Sequence, residues 1–385
     1  MMDAWIDTRG TALAGGTGIA TYAEGLARTV TRMGGQVDFL SLLPTGRSRQ
    51  QGQPGKLVSL ACIIKALCPA VRIKQDGVGH PYLPFMFRMG NTHFRVFGQP
   101  LCLVAPRPPQ VMHWTYPLPL KLKNTINITT IHDIIPITHP DLTGINKEKM
   151  QKILLCIINN SDYIICVTEY VRRKIIEYFH IPENRIKNLY QCAGISKEEV
   201  SLLSQAEAVA PADAFVCVGR VESRKNIRRL IIAHGRSGTK RPLVIMGPDG
   251  DDRPDLTPVH GRQKIVRVPW CARHSLLRAI AEARALLFPS LGEGFGLPII
   301  EAMSLDTPVM TSAGGATEEV AGNAAMLVDP LDIDQMSRVI QRLDEMDTET
   351  YKALAVAGQE RAQFFSLDMQ VKRMTEFYNS IGVTN

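Results

Sequence analysis

The chain has no long apolar run: nothing in it reaches the ~18 uncharged residues that a membrane-spanning helix needs. After Met1-Met2-Asp3-Ala4-Trp5 no basic segment leads into an apolar one, so no secretory signal is expected. The 8 cysteines include no Cys-x-x-Cys pair and no metal-like cluster, which argues against a zinc module or a disulfide scaffold. Cys156, Cys166 and Cys217 fall in apolar runs and read as buried thiols in a reducing cytosol. Gly-x-Gly-x-x-Gly with its downstream acid is missing, and so is Gly-Lys-Ser/Thr, so neither dinucleotide nor P-loop chemistry is indicated. There is no internal repeat and no low-complexity tract.

What is present is a soluble globular composition, 45% apolar and 21% charged, over 385 residues, too many for one ordinary core. Two domains are expected. Residues 1–200 hold 23 Lys+Arg against 14 Asp+Glu, a balance of +9, while residues 201–385 hold 21 against 23, or −2. A basic first half suits a phosphate-bearing or anionic-membrane partner, and equally a solvated basic surface; both readings stay open.

Strands alternate with amphipathic helices from the start. Trp5-Ile6-Asp7 is a strand candidate, Gly15-Gly16-Thr17-Gly18 follows, and a helix then puts Ile19, Tyr22, Ala23, Leu26, Val30 and Met33 on one side. Further strands are expected at 36–43, 126–131 and 163–167, with helices over 149–158 and 171–179. Residues 196–213, rich in Ser, Glu and Ala, read as a linker. A second series of strands follows at 214–218, 243–246, 265–268, 285–288, 308–311 and 326–328, with helices from Asn226 and Ser275 and a helical tail from Asp332. This alternation implies an α/β fold of two doubly wound parallel-sheet domains, 1–195 and 213–365; the last helix, 366–385, is expected to pack back on the first. Such folds bind ligands at the carboxyl ends of their strands.

The richest segment is Ser290-Leu291-Gly292-Glu293-Gly294-Phe295-Gly296-Leu297-Pro298-Ile299-Ile300-Glu301. A buried strand precedes it, and Pro298 sits near the first position of the helix that follows. Glu293 therefore lies on a strand-to-helix loop and Glu301 in the first helical turns. The N–H groups of Gly294 to Leu297 point outward at the positive helix end, where a carboxylate beside donors can hold hydroxyls and an anion together. Gly219-Arg220-Val221-Glu222-Ser223-Arg224-Lys225-Asn226 is a glycine turn with cations ahead of a helix, and Arg220 and Lys225 can converge there on a diphosphate. Arg224, Arg228 and Arg229 read as surface charges. Gly15 to Gly18 can cap an anion at a helix N-terminus or be a mere tight turn. His132-Asp133 ends a strand; His132 can bind a substrate hydroxyl or simply bond neighbouring backbone, and the second reading suits His113 and His139 better.

Together these residues resemble the retaining nucleotide-sugar glycosyltransferases of the GT-B fold, specifically glycosyltransferase family 4, over nearly the whole chain. Glu293 and Glu301 match the family's E-x7-E motif, and Gly219-Arg220 with Lys225-Asn226 matches its G-R-x4-K-N element. His132-Asp133, Gly15 to Gly18, and Ala313-Gly314-Gly315 with Glu319-Val320-Ala321-Gly322 fall in family order. The resemblance implies that Arg220 and Lys225 hold the donor diphosphate, with Gly16, Thr17 and Gly18 contributing from the first domain. It implies that Glu301 binds the ribose, that Glu293 and the N–H groups of Gly294, Phe295, Gly296 and Leu297 face the donor sugar, and that His132 faces its far side. Pro269-Trp270 falls where the family contacts the base. Two departures, Gln191-Cys192-Ala193-Gly194-Ile195 and Phe365-Ser366-Leu367, touch the hinge.

The expected reaction moves a hexose from a nucleotide sugar, GDP-mannose first and UDP-glucose second, to a glycan or lipid-diphosphate-linked acceptor. No cofactor and no metal are expected, and no Asp-x-Asp pair beside the donor residues; nor is a nucleic-acid partner. Leu57, Leu60, Ile63, Ile64, Leu67 and Val71 run among Lys65, Arg72 and Lys74, and Tyr82, Phe85, Phe87, Phe94 and Phe97 interleave with Arg88 and Arg95. This suits a lipid acceptor at an anionic membrane, hence a cytoplasmic protein peripheral to the inner face of the membrane; an ordinary core helix is the alternative. Two rival classes remain, a nicotinamide-dependent oxidoreductase and a non-catalytic sugar-nucleotide or glycan-binding protein. The absent dinucleotide fingerprint disfavours the first and the intact charged residues disfavour the second.

Overall fold

The computed structural model describes residues 2–8, 18–44, 56–259 and 263–383 of the chain. Gly16 and Thr17 of the expected donor loop lie outside the described residues.

Six parallel strands form the first sheet, in the spatial order Ile186–Asn188, Tyr163–Cys166, Ile126–Ile131, Val111–Trp114, Asp3–Asp7, Gln36–Leu40. The second sheet, also parallel, runs Ile265–Val268, Leu243–Met246, Phe215–Val218, Ala285–Phe288, Val309–Ser312, Met326–Val328. Its central strands are short and wholly buried because helices cover both faces, which is why they read as unbroken apolar runs without alternation. In chain order this second sheet is 3-2-1-4-5-6, so the order reverses between Phe215–Val218 and Ala285–Phe288. A crevice opens at the carboxyl ends of two strands that diverge in this way. In the first sheet the reversal falls between Asp3–Asp7 and Val111–Trp114.

The linker region is not plain coil. It carries the helix Lys197–Leu202, whose Ser196 and Glu199 form a reciprocal capping box. The last helix, Leu367–Ser380, lies on the first domain, where Tyr378 meets buried His113 Nε2 at 2.6 Å and Phe377 packs edge-on to Tyr163 at 5.7 Å. One core cluster accordingly includes residues of both domains, from Ile6 and Leu26 to Ile299 and Phe365.

The helix Lys56–Ala66 packs on the core with one side and leaves an apolar side exposed. Its inward side is small, Cys62 and Ala66, while Leu60, Ile63, Ile64 and Leu67, spaced as one helical face, are exposed, with exposed Lys65, Arg72 and Lys74 close by in sequence. Val96 and Phe97, at the end of the helix Met86–Phe97, are exposed as well. Among the described residues no helix is long and apolar enough to cross a membrane.

Candidate active site

The chain returns to the reversal point of the second sheet twice. After Phe215–Val218 the backbone turns at Gly219, whose φ of 140° favours glycine; a Cβ there would press on Lys225 Cε at 3.0 Å. A single 3₁₀ turn, Ser223–Lys225, then sets Arg224 and Lys225 toward the loop that follows Ala285–Phe288. Asn226 fastens that turn, since its side-chain amide donates to the Pro289 carbonyl at 3.0 Å and to the Pro330 carbonyl at 2.6 Å.

Glu293 receives both cations. Lys225 Nζ lies 2.6 Å from Oε1, and Arg224 Nη1 lies 2.7 Å from Oε2. Burial alone would raise this carboxyl's pKa, but the Arg224 and Lys225 charges outweigh it and hold the group down to about 2. Arg224 is therefore not the surface charge expected from sequence. It also donates to Glu222 at 2.8 Å and to the Gly292 carbonyl at 3.3 Å. Arg228 is exposed and pairs with Asp252, and Arg229 is half-buried and reaches Asn226 Oδ1 at 3.0 Å. Arg220 stands exposed at the rim, donating to the Asp249 carbonyl at 2.9 Å rather than sharing a partner with Lys225.

The expectation that no Asp-x-Asp pair sits beside these residues fails. Asp249-Gly250-Asp251 packs against them because Asp251 Oδ1 accepts from the Ser223 N–H at 2.9 Å, while Asp249 pairs with Arg267 at 2.8 Å. Among the described residues no group of three or more His, Cys, Asp or Glu is placed to hold a metal.

Gly296 caps the helix Leu297–Ser304, with Pro298 in its first turn, so the first N–H groups of the helix have no partner within it. Phe295 packs edge-on to Phe365 at 5.3 Å and holds that loop down. Gly294 meets the first domain: a Cβ there would overlap the His132 carbonyl oxygen, and its own carbonyl accepts from Thr168 Oγ1 at 2.9 Å. Gly18, which opens the helix Gly18–Arg32, would carry a Cβ 3.5 Å from Leu297 Cδ1, so two helix N-termini approach each other across the cleft. Glu301 is buried, with Oε1 bound by Arg273 at 2.8 Å; Arg273 also reaches Glu199 of the linker helix at 3.0 Å.

On the first domain, His132 Nε2–H donates to the Thr115 carbonyl at 2.9 Å, which leaves Nδ1 as the acceptor. Its ring stands edge-on to Tyr22 with centroids 4.8 Å apart. Burial pushes the imidazole down to about 4, so His132 is neutral at physiological pH. Thr115 is itself held, its N–H and hydroxyl both donating to Asp7 at the end of the first strand. A pocket between the domains is lined by Asp133, Ile135 and Tyr170 on one side and by Glu293, Gly314 and Thr317 on the other.

Sequence reasoning gave no role to Arg224, Arg273 or Glu319. Glu319 spans the domains: its two oxygens accept from the N–H groups of Glu169 and Tyr170, each at 2.6 Å, and so cap the helix Glu169–Phe179. The Gly315-Ala316-Thr317-Glu318-Glu319 spacing was the available signal, but it does not say which helix the carboxylate reaches.

Two parallel doubly wound domains, closing on a cleft with ionised groups at the reversal point of one sheet, define the GT-B class of glycosyltransferase scaffold. A model described as Glycosyltransferase Family 4 matches residues 16–191 and one described as Glycosyl transferases group 1 matches residues 212–345; the chain belongs to this glycosyltransferase family. It is similar to O-antigen chain mannosyltransferase B of Escherichia coli, at 31% identity over 264 residues, 65% of this chain and 68% of that one. Sucrose-phosphate synthase from Thermosynechococcus elongatus shares the fold over the whole of both chains, with a TM-score of 0.68 at 18% identity. HepE of Anabaena in complex with UDP-glucose does so over 99% of this chain and 100% of its own, with a TM-score of 0.57 at 15% identity.

Proposed function

We propose that this glycosyltransferase is a retaining, metal-independent hexosyltransferase of surface polysaccharide assembly. It moves mannose from GDP-mannose to a lipid-linked or polysaccharide glycan and forms an α-linkage. The observation that carries the reading is the Lys225–Glu293–Arg224 contact at the reversal point of the second sheet, with Arg220 exposed at its rim. Arg220 and Lys225 hold the diphosphate, Gly16, Thr17 and Gly18 supply donors from the first domain, and Glu301 uses the oxygen left by Arg273 for the ribose. Glu293 and the N–H groups of Gly294 to Leu297 face the sugar, and neutral His132 accepts a sugar hydroxyl at Nδ1. The acceptor hydroxyl attacks the anomeric carbon on the face the diphosphate leaves. As the sugar–oxygen bond breaks, the departing phosphate oxygen takes the hydroxyl proton. Fixed cations and helix ends stabilise that leaving charge.

Mannose is favoured by the E. coli O-antigen mannosyltransferase relative, and UDP-glucose, the ligand in the HepE complex, is the second donor to try. The exposed Leu60, Ile63, Ile64 and Leu67 face, in the domain with the positive balance, supports a peripheral seat on the anionic inner face of the cytoplasmic membrane, where a lipid-linked acceptor is found.

The test is release of nucleoside diphosphate from a panel of nucleotide sugars, with and without lipid acceptor and EDTA. GDP release from GDP-mannose that survives EDTA is expected. Arg220→Ala and Lys225→Ala should each weaken nucleoside diphosphate binding by roughly 1.5–3 kcal/mol. Unchanged affinity in both would remove the diphosphate assignment, and turnover lost to EDTA and restored by magnesium would remove the metal-independent one.

A further inference from the structure

Lys225 and Arg224 are consecutive, bind the two oxygens of one carboxylate, and yet are held very differently. Lys225 is buried, and its ammonium pairs with Glu293 and otherwise rests on the Phe288 ring, 4.4 Å from the centroid. Arg224 is fixed along its length: Nε on Glu222 Oε2 at 2.8 Å, Nη1 on Glu293 and the Gly292 carbonyl, and its own carbonyl on the Leu291 N–H at 2.7 Å. These bonds zip the 222–225 turn to the 291–293 loop. One cation is held by a single carboxylate, the other by several partners at once.

A buried carboxylate tolerates little loss of counter-charge. When a diphosphate draws Lys225 away, Glu293 is left facing Asp133 and Glu222, both negative when ionised, beside neutral His132. Without a second cation it would take up a proton or turn out of the cleft.

We propose that Arg224 is a positioning residue that keeps Glu293 ionised and aimed at the donor sugar while Lys225 exchanges that carboxylate for the donor diphosphate. The inference rests on the assignment of Lys225 to the diphosphate. It adds that Arg224 acts through Glu293 and not on the donor. The low pKa of Glu293 agrees with the two-cation arrangement.

The experiment is the pH dependence of kcat for the wild type, Arg224→Gln, Arg224→Lys and Glu293→Gln, with nucleoside diphosphate affinity measured alongside. Arg224→Gln should move the acid limb of kcat upward by roughly 1–3 pH units, so that its deficit is large at acid pH and shrinks toward pH 8. Nucleoside diphosphate affinity should stay within about threefold of the wild type, because Arg224 does not touch the donor. Arg224→Lys, which keeps the charge and most of the fold, should return the limb most of the way. Glu293→Gln should show no such limb. A pH-independent loss in Arg224→Gln, or an unmoved limb in both Arg224 variants, overturns the proposal. Unchanged nucleoside diphosphate affinity in Lys225→Ala sinks the parent assignment instead, whatever the Arg224 limb does.

Discussion

Where the second domain faces the cleft it presents ionised side chains in direct contact, Arg224 and Lys225 on Glu293, with Arg273 on Glu301 behind them. Where the first domain faces the same cleft it presents a neutral histidine, tied to a threonine carbonyl and edge-on to a tyrosine, with Asp133 and Lys174 lining the same pocket. The first half of the chain nevertheless has the higher net charge, +9 against −2, although the close ion pairs at the sheet reversal belong to the second. The lesson is a division of labour. On the proposed function, paired charges on one lip would meet the leaving group, while neutral His132 on the other would read a sugar hydroxyl.

The strongest way to break that pairing is to hold the lips apart. Gly294→Ala places a methyl group into the His132 carbonyl, and a misplacement of that size should lower kcat by roughly 10²-fold. Nucleoside diphosphate affinity should stay within a few-fold, since Arg220 and Lys225 are untouched. Steady-state kinetics beside calorimetry would check it, and an unaffected kcat would mean that the lips do not need this contact.

Acid separates the two lips more gently. Glu293 is depressed to about 2, so its contribution to stability is complete above its unfolded value and is lost only as pH falls through about 2. His132 is depressed to about 4 by burial: unfolded it takes a proton near 6.5, folded it does not, and stability falls as pH drops from ~6.5 toward 4. Urea unfolding at pH 5 and pH 7 should show a shallower pH dependence in His132→Gln, by at most about 1.4 kcal/mol per pH unit. An identical slope would mean that His132 is not held neutral. Buried His113 and His234, also depressed by burial, add to the wild-type slope in the same direction.

The smallest expected effect on catalysis comes from the outer surface. Changing Leu60, Ile63 and Ile64 together to Gln removes apolar area worth at most about 1.5–3 kcal/mol per side chain if each is fully buried in lipid. The variant should float poorly with anionic vesicles and turn over a water-soluble acceptor at the wild-type rate. Flotation equal to the wild type would return this face to plain solvent exposure.

The second sheet was almost fully legible because its central strands are unbroken apolar runs; Leu243–Met246, Ile265–Val268, Ala285–Phe288 and Met326–Val328 fall where they were expected. The stretch from residue 66 to 125 was not. Val111–Trp114 is a central strand, but with His113 among its four residues and prolines on either side it offers neither alternation nor a clean apolar run. The site divides the same way. Lys225, Glu293 and Glu301 stand out by type and spacing, whereas Arg224 and Arg273 look like any helix-start arginine until the turn geometry shows which carboxylate each one meets.

The polypeptide leaves the first domain just after Ala193 and comes home with the helix Leu367–Ser380, and the Ala193 N–H donates to the Phe365 carbonyl at 3.1 Å. The outgoing and returning threads therefore run side by side. A body on one thread can swivel and drift sideways, whereas a body on two neighbouring threads swings like a door on its pins. An opening on such a pair would retrace a single arc and return the Gly294 loop to His132 in the same register.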